Sequence, residues 1–115
     1  MTITNDEINA KIARLRGWTE MPNEFYSWQK PIGSSGVHCR DSAPDYTDSM
    51  QYAWELVDEI TRQDGYSVEV RDNGRSFNSV CVITEDGGII TVASSDTASR
   101  AICLAYIAWK ERQAA

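Results

Sequence analysis

A run of small polar residues, 94–97, connects a β-branched segment to an apolar helical pattern in this 115-residue sequence. Ser95 or Asp96 is expected to cap the first turn of that helix, and Arg100 follows one turn later. A helix N-terminus presents unpaired backbone N–H groups and the positive end of the helix dipole, which together favour an anion. The junction therefore predicts a site for a small anionic ligand, although capping alone accounts for the same residues.

A nucleotide ligand would need three kinds of contact, and the sequence offers candidates for each. Arginines bind phosphate through charge-assisted hydrogen bonds, hydroxyls bind phosphate or ribose, and aromatic rings stack on a base. The candidate ligand-binding residues are Arg71, Arg75, Phe77, Ser94, Ser95, Asp96, Thr97, Arg100 and Trp28. Arg71 and Arg75 also flank a predicted hairpin turn, where exposed cations commonly serve only solubility.

Residues suited to catalysis or metal binding are sparse. The one histidine, His38, precedes Cys39. Neighbouring side chains of an extended segment point to opposite sides, which disfavours a nucleophile–base pair. The three cysteines are an odd number without the spacing of a zinc site, so we expect reduced thiols. We therefore expect a protein that is not an enzyme and uses no metal or cofactor.

Composition and charge exclude several classes of protein. A formal net charge of −6 disfavours polymeric nucleic acid as a partner, because coating a duplex requires a basic face. No apolar run approaches the roughly 20 residues of a membrane span, and the first residues lack the pattern of a secretory signal. We expect a cytoplasmic protein without a membrane partner. Its single domain, residues 1–115, is long enough to bury a core unaided.

Helices on both sides of a β-meander are predicted to position these residues. The spacing of Thr4 and Glu7 is that of a capping box and predicts a helix over residues 5–16. A second helix is predicted to begin at Thr47 or Asp48, with Glu55, Asp58 and Glu59 on its solvent side and a buried stripe of Met50, Ala53, Trp54, Val57 and Ile60.

Alternating apolar residues predict strands over 66–71, 75–84 and 89–93, and an edge strand over 25–30. The middle strand is apolar on both faces, which predicts cover from two sides. The fold class is therefore α+β: a three-layer α/β/α sandwich whose antiparallel three- to four-stranded meander carries N-terminal helices and a buried C-terminal helix.

The C-terminal helix carries more apolar surface than one contact requires. Cys103, Tyr106 and Ile107 extend its apolar stripe well around the circumference. Such a surface in water promotes aggregation, whereas a closed symmetric contact covers it. The helix therefore predicts a homo-oligomer.

Three segments, taken together and in order, resemble the sequence blocks of the phage ABA sandwich domain family. They are Ile8–Trp18, Ala43–Val57 and Ala98–Ala105. The resemblance implies a phage protein with an α-β-α sandwich. It also implies similarity to Thoeris anti-defence proteins, which are oligomeric sponges that bind glycocyclic ADP-ribose or cyclic oligonucleotides without cleaving them. The expected partner is thus a small cyclic nucleotide signal in an infected bacterial host. A phage structural or host-factor-binding module and a small nucleotide-cleaving enzyme remain open as alternatives.

Overall fold

The computed structural model of the chain describes residues 3–23, 26–29, 44–71 and 79–114. These residues form three helices and five strands: α1 (Asn5–Leu15), β1 (Thr19–Asn23), β2 (Tyr26–Gln29), α2 (Met50–Thr61), β3 (Tyr66–Arg71), β4 (Ser79–Glu85), β5 (Gly88–Ser95) and α3 (Ala98–Ala114). Strands β3, β4 and β5 form an antiparallel meander with β4 in the centre, and β1 and β2 form a separate hairpin. The fold is the predicted α+β sandwich.

Helix α1 begins at the predicted capping box. The Thr4 hydroxyl accepts a hydrogen bond from the Glu7 backbone N–H at 3.2 Å and donates to the Glu7 carboxylate at 3.1 Å. The helix ends just before Gly17, whose φ of 90° is a conformation that glycine adopts without strain. Local sequence therefore determines both ends of α1.

The caps of α2 and α3 differ from their predictions. Ser49, not Thr47 or Asp48, caps α2 by accepting from the backbone N–H of Tyr52. Thr97 caps α3: its hydroxyl accepts from the backbone N–H of Arg100 at 3.2 Å. Ser95 and Asp96, which we expected at this position, instead lie at the end of β5 and in the connection to α3.

Helix α3 lies at the centre of the core. It packs against β4 and β5 and also against α1 and α2. Its buried residues are Ser99, Ala101, Ile102, Cys103, Ala105, Tyr106, Ile107 and Trp109. The surface that we assigned to a second subunit is therefore covered by the chain itself. The homo-oligomer stays a prediction, but α3 no longer supplies its reason.

The meander packs against the core on one face. Along β4, Cys81 and Ile83 are fully buried within the core cluster, whereas Val80 and Val82 are half-buried and lie outside that cluster. On β5, Ile89 and Val92 are 67% and 60% exposed. Cover over both faces of β4 was expected, but within the described ranges only the Cys81 side packs against the core.

Helix α2 buries a face that overlaps the predicted stripe only in part. Ala53, Val57 and Ile60 are buried as predicted, and Leu56 joins them. Residues at i, i+3, i+4 and i+7 share one face of a helix, and Trp54 falls to one side of it. Met50 and Trp54 consequently remain 37% and 48% exposed.

Gly65 adopts a backbone conformation that strains any residue with a side chain. It connects α2 to β3 with a φ of +89°, and a Cβ at this position would lie 2.7 Å from the Asp86 carboxylate. That carboxylate ends an exposed, flexible side chain, so it can move away at little cost. We expect Gly65→Ala to lower the free energy of unfolding by roughly 1–2 kcal/mol in urea denaturation, because of the backbone strain. Gly87→Ala, with a φ of +86° and nothing within 4 Å of its Cβ, should cost about the same, and a much larger loss at Gly65 would contradict the mobility of Asp86.

Candidate functional site

The N-terminal regions of α1, α2 and α3 converge at the connection between β5 and α3. Arg100, in the first turn of α3, donates through Nε to Oδ1 of Asn5, the first residue of α1, at 3.0 Å. The Ser99 hydroxyl donates at 2.5 Å to the carbonyl oxygen of Thr47, two residues before the cap of α2. Each helix N-terminus contributes a positive potential and unpaired N–H groups. We call this region the β5–α3 junction; its helix ends attract an anion, whereas the carboxylates of Asp45 and Asp96 oppose one.

A buried polar cluster fixes α1 to the segment before α2. Asn9 donates through Nδ2 to Asp45 Oδ1 at 3.2 Å and accepts from the Thr47 backbone N–H at 3.1 Å. The Thr47 hydroxyl also donates to Asp45. Sequence reasoning missed these residues, although one signal was present. Asn9 stands on the same helical face as the buried Ile12 and Ala13, where a polar side chain requires a partner.

Arg100 makes more hydrogen bonds than the other described candidates. Besides Asn5, it donates through Nη1 to the Ser95 hydroxyl at 2.8 Å and through Nη2 to the Ile3 carbonyl at 2.9 Å. Ser95 is buried and donates in turn to Asp96. The guanidinium therefore fastens the segment before α1 to the β5–α3 junction. A role for Arg100 in ligand binding stays a prediction.

The remaining described candidates lie at the same end of the meander. Ser94, Asp96 and Thr97 are exposed around the junction. Arg71 and Ser94 both pair with Val80, so they are about 10 Å apart across β4. The Arg71 side chain is 66% exposed and donates to Glu69 Oε1 at 2.8 Å. Arg71 is thus available near the junction, but at its edge.

Three of the candidates cannot be placed at the site. Arg75 and Phe77 lie outside the described residues, as do His38 and Cys39. Trp28 lies in β2, which pairs with β1 and not with the meander, and its side chain is outside the described set.

A second polar cluster joins the three helices further along α3. Glu59 Oε2 accepts from the Tyr106 hydroxyl at 2.6 Å and from Lys110 Nζ at 3.1 Å, while Oε1 accepts from Arg16 Nε at 3.1 Å. Burial alone would raise the pKa of Glu59, but these donors outweigh it and lower the pKa. Arg16 also donates to the Tyr46 hydroxyl. Glu59 was expected on the solvent side of α2, and this cluster corrects that prediction.

The two described cysteines are not activated nucleophiles. Cys81 and Cys103 are free and buried, and burial raises the pKa of each thiol to about 12. Neither forms a thiolate near neutral pH. Within the ranges that the structure describes, no three histidine, cysteine or acidic side chains are grouped to hold a metal ion. None of the helices described combines the length and the apolar character that a membrane crossing requires.

The sequence of this chain matches a family model over most of its length. The model of the phage ABA sandwich domain matches residues 10–107. The chain belongs to the phage ABA sandwich domain family. This family member is similar in fold to a phage protein from Bacillus cereus ATCC 14579, with a TM-score of 0.63 to that crystal structure. The two chains are 20% identical, and the match covers 93% of this chain and 92% of the other, a likeness that shows the fold alone. No curated protein matches this phage ABA sandwich domain in sequence.

Proposed function

We propose that this phage ABA sandwich domain binds a small nucleotide signal at the β5–α3 junction and sequesters it without cleaving it. The observation that carries the proposal is the convergence of three helix N-terminal regions on a junction with exposed hydroxyls. The net charge of −6 repels an anion at long range. Binding must therefore rest on local groups, which the helix ends and the arginines supply.

The resemblance to the phage ABA sandwich family, whose fold is associated with Thoeris anti-defence proteins, suggests the class of ligand. A glycocyclic ADP-ribose or a cyclic oligonucleotide carries phosphates that suit Arg71 and Arg100, and ribose hydroxyls that suit Ser94 and Thr97. The protein would then act as a phage anti-defence sponge in the cytoplasm of the infected host, as a homo-oligomer.

Sequestration, and not turnover, is the expected outcome of binding. Hydrolysis of a cyclic phosphodiester requires a metal ion, an activated nucleophile or an acid–base pair. The protonated thiols of Cys81 and Cys103 support a binding role over a nucleophilic one. Ligand recovered after heat denaturation should be chemically intact by chromatography.

A thermal-shift panel tests the proposal. Cyclic dinucleotides, cyclic trinucleotides and glycocyclic ADP-ribose are each added to the purified chain. A true ligand at 100 times its Kd contributes about 2.7 kcal/mol, or roughly a 10 °C rise in Tm. No rise with any of the three classes, or a product that accumulates with time, would contradict the proposal.

Matched variants place the ligand. Ser94→Asp adds a negative charge at an exposed position of the junction and should weaken binding at least tenfold. Gln63→Glu adds the same charge beyond the C-terminal end of α2, where the Gln113 amide still has an acceptor, and should leave affinity unchanged. Arg100→Glu should abolish binding but also lose stability, because Arg100 fastens Ser95, Asn5 and Ile3. Equal affinity for both charge variants would place the ligand elsewhere.

A phage structural or host-factor-binding module is the second candidate. The exposed Ile89 and Val92 on the outward face of the meander favour it, since contiguous apolar side chains on a surface commonly mark protein contacts. A flat thermal-shift panel would support this candidate over the nucleotide sponge.

A further inference from the structure

Helix α2 exposes large apolar side chains on one flank. Met50 and Trp54 are 37% and 48% exposed, and Val57, at the edge of the buried face beside them, is 8% exposed. Tryptophan and methionine are enriched in the buried centres of protein interfaces, and tryptophan is a common hot-spot residue. We call the exposed side chains of Met50 and Trp54, with the adjoining Asp58, the Trp54 surface.

The Trp54 surface faces away from the other described helices. Glu59, on the opposite flank of α2, contacts Arg16 of the α1 C-terminus and Lys110 of α3. Successive residues of a helix are 100° apart, so Trp54 lies well over a quarter-turn from Glu59. The contacts of Glu59 with Arg16 and Lys110 therefore do not cover Trp54, which stays 48% exposed.

Acidic residues surround the Trp54 surface. Residues 44–64 contain six acidic residues and one cation, Arg62. Asp58, one turn after Trp54, and Asp48, just before the helix, are both exposed. Glu59 is neutralised by Lys110 and Arg16, and Glu55 lies 3.4 Å from Arg16. Arg62 lies one turn beyond Asp58, but the exposed charge around Trp54 is negative on balance and favours a basic partner.

We propose that the Trp54 surface docks a basic segment of a partner protein. An aliphatic or aromatic side chain of the partner packs on Trp54 and Met50, while a lysine or arginine beside it pairs with Asp58. This contact is a protein-binding function in addition to nucleotide sequestration, and it does not depend on the nucleotide ligand.

Fluorine NMR on the full chain labelled with fluorotryptophan tests the proposal. The sequence has four tryptophans, and the Trp54 signal is assigned by its loss in Trp54→Phe. The probe is a short amphipathic peptide of leucine and lysine, and two further peptides replace lysine by glutamate or leucine by serine. The leucine–lysine peptide should shift the Trp54 signal and leave the signal of the fully buried Trp109 in place. An unmoved Trp54 signal, or equal shifts with all three peptides, would overturn the proposal.

Variants distinguish specific binding at the Trp54 surface from nonspecific binding elsewhere on the protein. Trp54→Ala and Asp58→Lys should each weaken binding of the leucine–lysine peptide about tenfold, with a Tm lowered by no more than about 4 °C. The controls are two variants of the meander: Val92→Ala removes an exposed apolar side chain, and Glu85→Lys reverses the charge of an exposed acid. Both should bind the leucine–lysine peptide as tightly as the wild type does. Equal weakening by the controls would overturn the proposal. A Trp54 signal that moves with protein concentration in the absence of peptide would assign the surface to a second copy and also overturn it.

Discussion

Replacement of Trp109 by alanine is expected to lower the free energy of unfolding by about 4 kcal/mol, a large part of the stability of a small domain. Trp109 is fully buried. Its ring packs edge-to-face against Tyr66 at a centroid distance of 5.6 Å and lies 5.9 Å from the Tyr106 ring. Alanine would leave a cavity between α3 and the start of β3. Chemical denaturation followed by circular dichroism measures the loss.

Two further tryptophan variants serve as controls for this prediction. Trp54→Ala removes a ring that is 48% exposed and should cost less than about 1 kcal/mol. Trp109→Phe should cost roughly 1–2 kcal/mol. The buried Trp109 Nε1 has no hydrogen-bond partner among the described residues, so this variant loses side-chain volume but no hydrogen bond. Equal losses for Trp109→Ala and Trp54→Ala would show that the C-terminal half of α3 does not hold the core.

Replacement of Glu59 by alanine is expected to cost about 3 kcal/mol in the same assay. The change leaves the hydroxyl of the buried Tyr106 without its acceptor, leaves Lys110 without its carboxylate and leaves Arg16 with the more distant Glu55 alone. Glu55→Ala is the control. The Glu55 side chain is 50% exposed, and its 3.4 Å contact with Arg16 is longer than that of Glu59. Its loss should therefore cost at most about 0.5 kcal/mol. A small effect of Glu59→Ala would mean that water replaces the carboxylate without cost.

The contribution of Glu59 should depend on pH. Its pKa is lower in the folded chain than the ordinary value of 4.5, so the unfolded chain binds the proton more tightly. The stabilisation by Glu59 is therefore fully present above about pH 4.5 and is lost as the pH falls through the folded pKa. The stability difference between the wild type and Glu59→Gln should shrink on acidification. A difference that is constant with pH would contradict the lowered pKa.

Features set by neighbouring residues were predictable from the sequence. The Thr4 cap, the end of α1 before Gly17 and the bounds of β3 follow from capping, glycine conformation and two-residue alternation. The buried C-terminal helix followed from its apolar composition. Each of these sequence patterns lies in, or directly beside, the helix or strand that it determines.

Features set by distant residues were not predictable. Arg100 appeared free for a ligand because its acceptors, Asn5 and the Ile3 carbonyl, lie more than 90 positions away. Met50 and Trp54 match a buried stripe on α2, but the helix is rotated so that Leu56 enters the core and Glu59 meets α3. Periodicity identifies an amphipathic helix, whereas the packing of its neighbours decides which of two overlapping faces is buried.

The position of α3 at the centre of the core affects how the chain folds during synthesis. Helices α1 and α2 and the meander all precede α3 in the sequence, yet all pack against it. While the ribosome is still translating the segment before Ala98, the strands can pair and α2 can contact β3, but the core side of these elements lacks the helix that covers it. The nascent chain therefore completes its tertiary structure in a late step. Until then its apolar strands are open to chaperones and to aggregation.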